Sequence, residues 1–225
     1  MSQTKTIQPA DTLAQLATSR AGASRVFHRY NLDFCCHGQI SLADASAKKG
    51  LDVDALIREI EAEASHATPI EPWQDRAIPE LTAHIVAHYH EPHRRELPRL
   101  LAMAERVEKV HRDKASCPRG LAALLAGLAA ELTQHMQKEE GILFPMLDRG
   151  EGANAVGPIQ VMEQEHEDAG AVLASMRALA TDYQPPADAC GTWRALYLGL
   201  DEFERDLMQH VHLENYVLFP RAMRG

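Results

Sequence analysis

Apolar residues recur at three- and four-residue intervals along almost the whole chain, the spacing that gathers them on one face of a helix. Between Thr12 and Tyr30 the stripe is Leu13, Leu16, Ala17, Val26, Phe27 and Tyr30, with Asp11 as the expected N-cap and Asn31 as the stop. The turn LDFCCHGQ follows. Ser41, with Asp44 three residues on, opens a short helix that Gly50 ends, and Asp52 or Asp54 opens another that carries Leu56, Ile57 and Ile60 to about Ser65. The pattern predicts a small three-helix domain over residues 1–68, marginal in stability by itself at that size.

The stretch ATPIEPWQDRAIP holds three prolines and reads as a linker over 69–79. Over 80–225 the period lengthens into four long helices: Pro79 to about Arg112, Pro118 to about Asp148, Pro158 to near Tyr183, and roughly Asp188 to Arg221. Pro92 and Pro98 lie inside the first and should kink it or thin its hydrogen bonding. Four long helices with short connections predict an all-α chain whose larger part is an antiparallel four-helix bundle.

Composition agrees, with few aromatics and much Ala, Leu and Glu. A net charge of −9 argues against nucleic acid and anionic membrane surfaces as partners. No apolar run approaches the roughly 20 residues of a membrane span. The opening MSQTKTIQPADTLAQLA lacks the basic-then-apolar layout of a secretory signal. Four cysteines in 225 residues are too few for a disulfide scaffold, so a cytoplasmic protein with reduced thiols is expected. Twelve histidines, most of them after residue 84, are the unusual count.

Those histidines expose an internal repeat. His135–Pro145 reads HMQKEEGILFP and His210–Pro220 reads HVHLENYVLFP, aligned without a gap. His135 pairs with His210 and Glu139 with Glu214, each His and Glu four residues apart on one helix face. His90 precedes His135 by 45 residues and His166 precedes His210 by 44. Counted from the helix ends, the upstream and downstream histidines of each hairpin differ in height by about 7 Å at 1.5 Å per residue, within the uncertainty of a turn boundary. Four imidazoles and two carboxylates are thus expected at one level of the bundle. A single His-x3-Glu would be an ordinary solvated helix face, but the duplicated motif with both upstream histidines in register points to a metal site. Six N/O donors with two carboxylates able to bridge suit a pair of iron or manganese ions better than one zinc. Leu-Phe-Pro reads as apolar packing that closes the bundle. Glu131 and Asp206, four residues before His135 and His210, and Glu165, beside His166, are candidates to orient an imidazole through its free ring N–H. His111, 21 residues from His90, would join the centre only if the first helix broke sharply. His84, His88, His93 and His212 read as surface or packing histidines.

The segments YHEPHRRELP, VHRDK, HMQKEEGILFPML, GPIQVMEQEHEDAG and HVHLENYVLFPRA strongly resemble the hemerythrin-like domain of the iron–sulfur cluster repair di-iron proteins, the RIC family. RYNLDFCCHGQISLADA resembles that family's N-terminal domain with its paired cysteines. The resemblance covers nearly the whole chain in the family's domain order. It implies a non-haem di-iron centre with His90, His135, His166 and His210 as terminal ligands and Glu139 and Glu214 as bridges. It implies a cytoplasmic role in restoring iron–sulfur clusters after nitrosative or oxidative damage, by supplying iron to damaged iron–sulfur proteins as clients. Oxygen-carrying hemerythrins have a further His one turn after the third-helix ligand, where this chain has Gly170, and end in His-x4-Asp rather than His-x3-Glu. Fewer imidazoles leave positions open to NO, nitrite, oxygen or water, which favours iron delivery or small-molecule reaction over oxygen storage.

The adjacent Cys35 and Cys36 can rarely chelate one metal together, and a disulfide between neighbours needs a strained ring. On the resemblance they are expected to pass iron or electrons by thiol chemistry. Cys117 and Cys190, in loops between helices, receive no role. The alternatives to iron donation are a di-iron redox enzyme acting on nitrite, NO or peroxide, and a sensor or binding module whose iron state changes its contacts. Homodimerisation is left open.

Overall fold

The computed structural model describes residues 6–67 and 70–224. Residues 1–5 and 68 of the expected first domain, residue 69 of the expected linker and residue 225 lie outside the described residues. The described chain is helical, with one isolated bridge from Thr12 to Ser41. It forms two compact units: residues up to Arg76 with Met208–Arg221, and Ala77–Leu207 with the residues after Arg221.

In the first unit, the helix expected from Thr12 to Tyr30 is broken into α1 (Leu13–Ser19) and α2 (Ala23–Arg29). The break falls at Gly22, whose φ of 80° is left-handed and whose Cβ, if it had one, would sit 2.5 Å from Glu63 Cγ. The period continues across the break, which is why the stripe alone does not reveal it. The cap of α1 is Thr12, not Asp11: Thr12 and Gln15 make a reciprocal capping box, while the Asp11 carboxylate accepts from the Gln8 N–H. α3 (Leu42–Lys49) starts on the Ser41 hydroxyl and ends at left-handed Gly50, and α4 (Val53–Ala64) starts on the Asp52 carboxylate. Their buried faces, Leu13, Leu16, Val26, Phe27, Leu42, Leu56 and Ile60, make the core of the unit with Leu32 and Phe34.

The second unit begins with α5 (Ile78–Ile85), with Pro79 in its first turn, and continues through a π-helical turn, Val86–His90, into α6 (Glu91–His111). α7 (Leu121–Lys138) likewise passes through a π-turn, Glu139–Leu143, into α8 (Phe144–Asp148). α9 (Val156–Leu179) is uninterrupted. α10 (Gly191–Leu213) runs through a third π-turn, Glu214–Leu218, into α11 (Phe219–Arg224). α6 packs on α7 and α7 on α9. α9 is tied to α10 by Arg177, which donates to the buried Glu204 carboxylate at 2.9 Å, with the Tyr183 hydroxyl donating to the other oxygen at 2.7 Å. The ring closes where α10 meets α6: the His93 imidazole lies edge-on to Phe203, and Gly199 lets Leu100 approach to where a Cβ would stand 2.7 Å away. The result is the antiparallel four-helix bundle that the period predicts.

Each π-turn ends two residues before a proline: Pro92, Pro145 and Pro220. A proline ring in a regular helix collides with the carbonyl four residues back, and an extra residue in the turn moves that carbonyl aside. Pro92 therefore marks a local widening of the helix, and Leu-Phe-Pro contributes more than packing. Leu143, Phe144, Leu218 and Phe219 are buried as expected, while the prolines are what the widened turns accommodate.

Candidate metal centre

The helices that carry the repeated motif place all six expected ligands, His90, His135, Glu139, His166, His210 and Glu214, in buried positions. His90 closes the first π-turn, and Glu139 and Glu214 open the other two. Glu139 Oε2 lies 3.3 Å from His90 Nε2 and 3.3 Å from His135 Nε2. His135 Nε2 lies 3.2 Å from His166 Nε2. On α10 and the turn after it, His210 Nε2 is 3.1 Å from Glu214 Oε1. Taking one donor atom per residue, His90, Glu139, His210 and Glu214 form one group, and His135, Glu139, His166 and Glu214 a second. Within each group the donor atoms all lie within 4.8 Å of one another.

The other ring nitrogens explain which atom faces inward. His90 Nδ1–H donates to Glu140 Oε1 at 2.6 Å, and His135 Nδ1–H donates to Glu165 Oε2 at 2.9 Å. A carboxylate can only accept, so each bond puts the proton on Nδ1 and leaves the Nε2 lone pair toward Glu139. Burial works to raise the Glu140 carboxyl, but His90 and Arg94 outweigh it and hold the group below the usual carboxylate range. Burial likewise opposes ionisation of Glu165, and Lys138 with His135 overcomes it. Both outer carboxylates stay charged, as an imidazole-orienting group must.

The sequence therefore points to Glu165, through its place beside His166, but neither to its partner His135 nor to Glu140. The signal for Glu140 was present in Arg94, one turn beyond His90 on the same face, which donates to that carboxylate at 2.5 Å. The other two candidates lie elsewhere: Glu131 is exposed, and the Asp206 carboxylate pairs with Arg205 at 3.3 Å. His111 stands against Cys190 and Trp193, outside both donor groups. Of the two readings given for His212, surface or packing, it takes the second and is buried. Its Nδ1–H donates to the Phe34 carbonyl at 3.2 Å, its Nε2 is 3.0 Å from the Thr18 hydroxyl, and burial pushes its pKa down to about 4.

The cysteine turn belongs to the same unit as His210 and Glu214. Asn215 Nδ2 donates to the Cys35 carbonyl and the Tyr216 hydroxyl to the Cys36 carbonyl, both at 2.9 Å, while Tyr216 accepts from the Gly38 N–H at 2.8 Å. The residues directly after Glu214 thus clamp the backbone of both cysteines. The two thiols are 3.8 Å apart, and Asp33 accepts from the N–H groups of Cys35 and Cys36 at 3.2 and 2.9 Å. Asp33, Cys35 and Cys36 form a third group of donors within 4.8 Å. The Cys36 thiol beside it, burial and the Asp33 charge push the Cys35 thiol well up, so it is protonated at neutral pH.

Glu165→Gln keeps shape and bulk but weakens the acceptor of the His135 ring proton. It should lower metal affinity by about 10- to 100-fold, the usual effect of losing an orienting partner, with the helical content unchanged. Competition with a chelator of known affinity measures this, and an unaltered competition curve would rule the role out.

No helix is long and apolar enough to cross a membrane among the described residues. Residues 81–222 match the hemerythrin HHE cation-binding domain, and residues 9–64 match a domain of unknown function, DUF542. The chain is 48% identical over 214 residues to the iron–sulfur cluster repair protein YtfE of Pectobacterium carotovorum subsp. carotovorum, covering 95% of this chain and 97% of the relative. It is 50% identical over 214 residues to the protein of that name from Yersinia pseudotuberculosis serotype O:1b, with the same coverage. The hemerythrin HHE match over residues 81–222, together with 48–50% identity along nearly the full length of both chains, places the chain in the family of YtfE iron–sulfur cluster repair proteins.

Proposed function

We propose that the protein holds two bridged non-haem iron ions and donates iron to iron–sulfur proteins whose clusters have suffered nitrosative or oxidative damage. His90 and His210 are the terminal ligands of one ion, and His135 and His166 those of the other. Glu139 and Glu214 bridge them. The observation that carries this reading is the sharing of Glu139 and Glu214 by both donor groups, because a carboxylate common to two groups is what a two-ion centre requires. Four neutral imidazoles and two carboxylates supply only two negative charges for two cations. The remaining positions are left to water or small ligands such as NO, nitrite or oxygen. When bound, such a pair supplies redox chemistry and labile iron.

The chain's own part is to fix the Nε2 lone pairs inward through Glu140 and Glu165 and to bury the donors. Through Asn215 and Tyr216, it also anchors the Cys35–Cys36 turn to the stretch that presents Glu214. Cys35 and Cys36 are the groups through which iron or electrons pass. The site of action is the cytoplasm.

The test mixes iron-loaded protein with an apo iron–sulfur enzyme and a chelator too weak to strip the centre. Recovery of client activity in step with iron leaving this protein is the expected result. Iron that stays bound while nitrite, NO or peroxide is consumed over many turnovers would replace donation by a redox enzyme.

A further inference from the structure

At the end of the bundle where α6 stops and α10 starts, a second set of reactive groups meets. His111 is the last residue of α6, and Cys190 directly precedes Gly191, the first of α10. The Arg194 N–H donates to the Cys190 carbonyl at 3.1 Å, so Cys190 occupies the N-terminal end of a long helix, where the unsatisfied N–H groups favour negative charge. Its Sγ lies 3.2 Å from His111 Nε2. The imidazole is held in place by the buried Trp193, ring centroids 4.9 Å apart.

The loop that presents the thiol is also fixed. Lys114 Nζ donates to Asp188 Oδ2 at 2.5 Å and to the Asp188 carbonyl at 3.2 Å, and Arg194 donates to the carbonyls of Ala187 and Ala189 at 2.8 and 3.1 Å. A thiol with a base oriented on it, presented by a fixed loop at a helix N-terminus, makes the arrangement that activates a nucleophilic cysteine.

The other cysteines contrast with it. Cys35 and Cys117 are buried with thiols pushed up, by Cys36 and burial in the first case and by burial in the second. Cys36 is half-buried, and its backbone carbonyl is occupied by Tyr216. Cys190 is exposed.

We propose that Cys190 and His111 form a reactive-thiol site that undergoes exchange with small disulfides, separate from the histidine–glutamate centre. The Cys190 S–H proton passes to His111 Nε2, and Sγ attacks one sulfur of the disulfide. The S–S bond of the reagent breaks as the new one forms, and the departing thiolate takes the proton from His111. Cys190 is oxidised to a mixed disulfide and half of the reagent is reduced to a thiol, so no further reductant or oxidant enters.

The experiment treats the full chain, as purified, with glutathione disulfide and follows each cysteine by peptide mass mapping. Cys190 should take up the adduct about tenfold or more faster than Cys36 in the same molecules, and His111→Gln should remove about that factor at Cys190 while leaving Cys36 unchanged. Trp193 emission should change with adduct formation in the wild type and not in Cys190→Ser. The proposal falls if Cys190 stays unmodified, reacts no faster than Cys36, or reacts equally fast in His111→Gln. If His111→Gln fails to fold by circular dichroism, the ratio of Cys190 to Cys36 in the wild type decides alone.

Discussion

Glu139→Ala should leave the protein with close to no bound iron, where the proposed centre predicts about two ions per chain for the wild type. Glu139 Oε2 stands 3.3 Å from both His90 Nε2 and His135 Nε2, and the residue belongs to both donor groups, so one truncation removes a ligand from each ion. His166 belongs to one group only, and His166→Ala should therefore retain about half the iron. The size of the loss follows from coupling: donors arranged around a metal bind it as a set, and affinity collapses when a shared one goes. Metal analysis of anaerobically prepared protein measures both variants. Unchanged iron in Glu139→Ala would remove the bridging role, and equal losses in the two variants would remove the sharing.

Gly152→Ala should destabilise the fold by about 3 kcal/mol or more, since the added methyl has no space and its nearest neighbour is backbone. A Cβ at this position would stand 1.9 Å from the Ala222 carbonyl oxygen and 2.5 Å from its carbon. Relief requires moving either the Gly152–Asn154 turn between α8 and α9 or the end of α11, because no flexible side chain is there to yield. For a chain of this length the loss corresponds to a fall in Tm of about 10 °C. Thermal unfolding at matched metal occupancy checks it, and a change within about 0.5 kcal/mol would show that the turn shifts freely.

How much of this was legible in the residues depends on what each signal depends on. The bundle was legible because burial of one helix face requires a period, and periods survive in one sequence. The six candidate ligands were legible because they occur twice at nearly one spacing, and repetition carries information that a lone histidine lacks. Glu140 and Glu165 differ in this respect. Each orients one imidazole from outside the helix that bears it, a relation between helices that spacing along one helix does not record. The clamp from Asn215 and Tyr216 onto the cysteine turn spans about 180 positions of sequence, with no periodic trace. Gly22 broke a helix whose stripe runs on through the break. The three prolines were visible, but their meaning was not: Pro92 reads as a kink and Pro145 and Pro220 as part of an apolar closing motif, and here each follows a turn already widened to receive it.

Those widened turns have a consequence for how the chain can be altered. A π-turn is an α-helix with one residue added, so everything downstream is rotated by about 100° relative to an unbroken helix. Removing one residue from Glu139–Leu143 or Glu214–Leu218 would turn the following Phe-Pro away from the interior and bring the proline ring back against the carbonyl four residues before it, while His135 and His210, upstream, would keep their facing. The two motif copies share this widened turn at the same place. The first and third helices do not, since Val86–His90 has a π-turn and α9 has none. Of the two helix pairs, the one that carries His90 and His135 therefore has a π-turn in both helices and the one that carries His166 and His210 has it in one, and the internal symmetry of the bundle ends there.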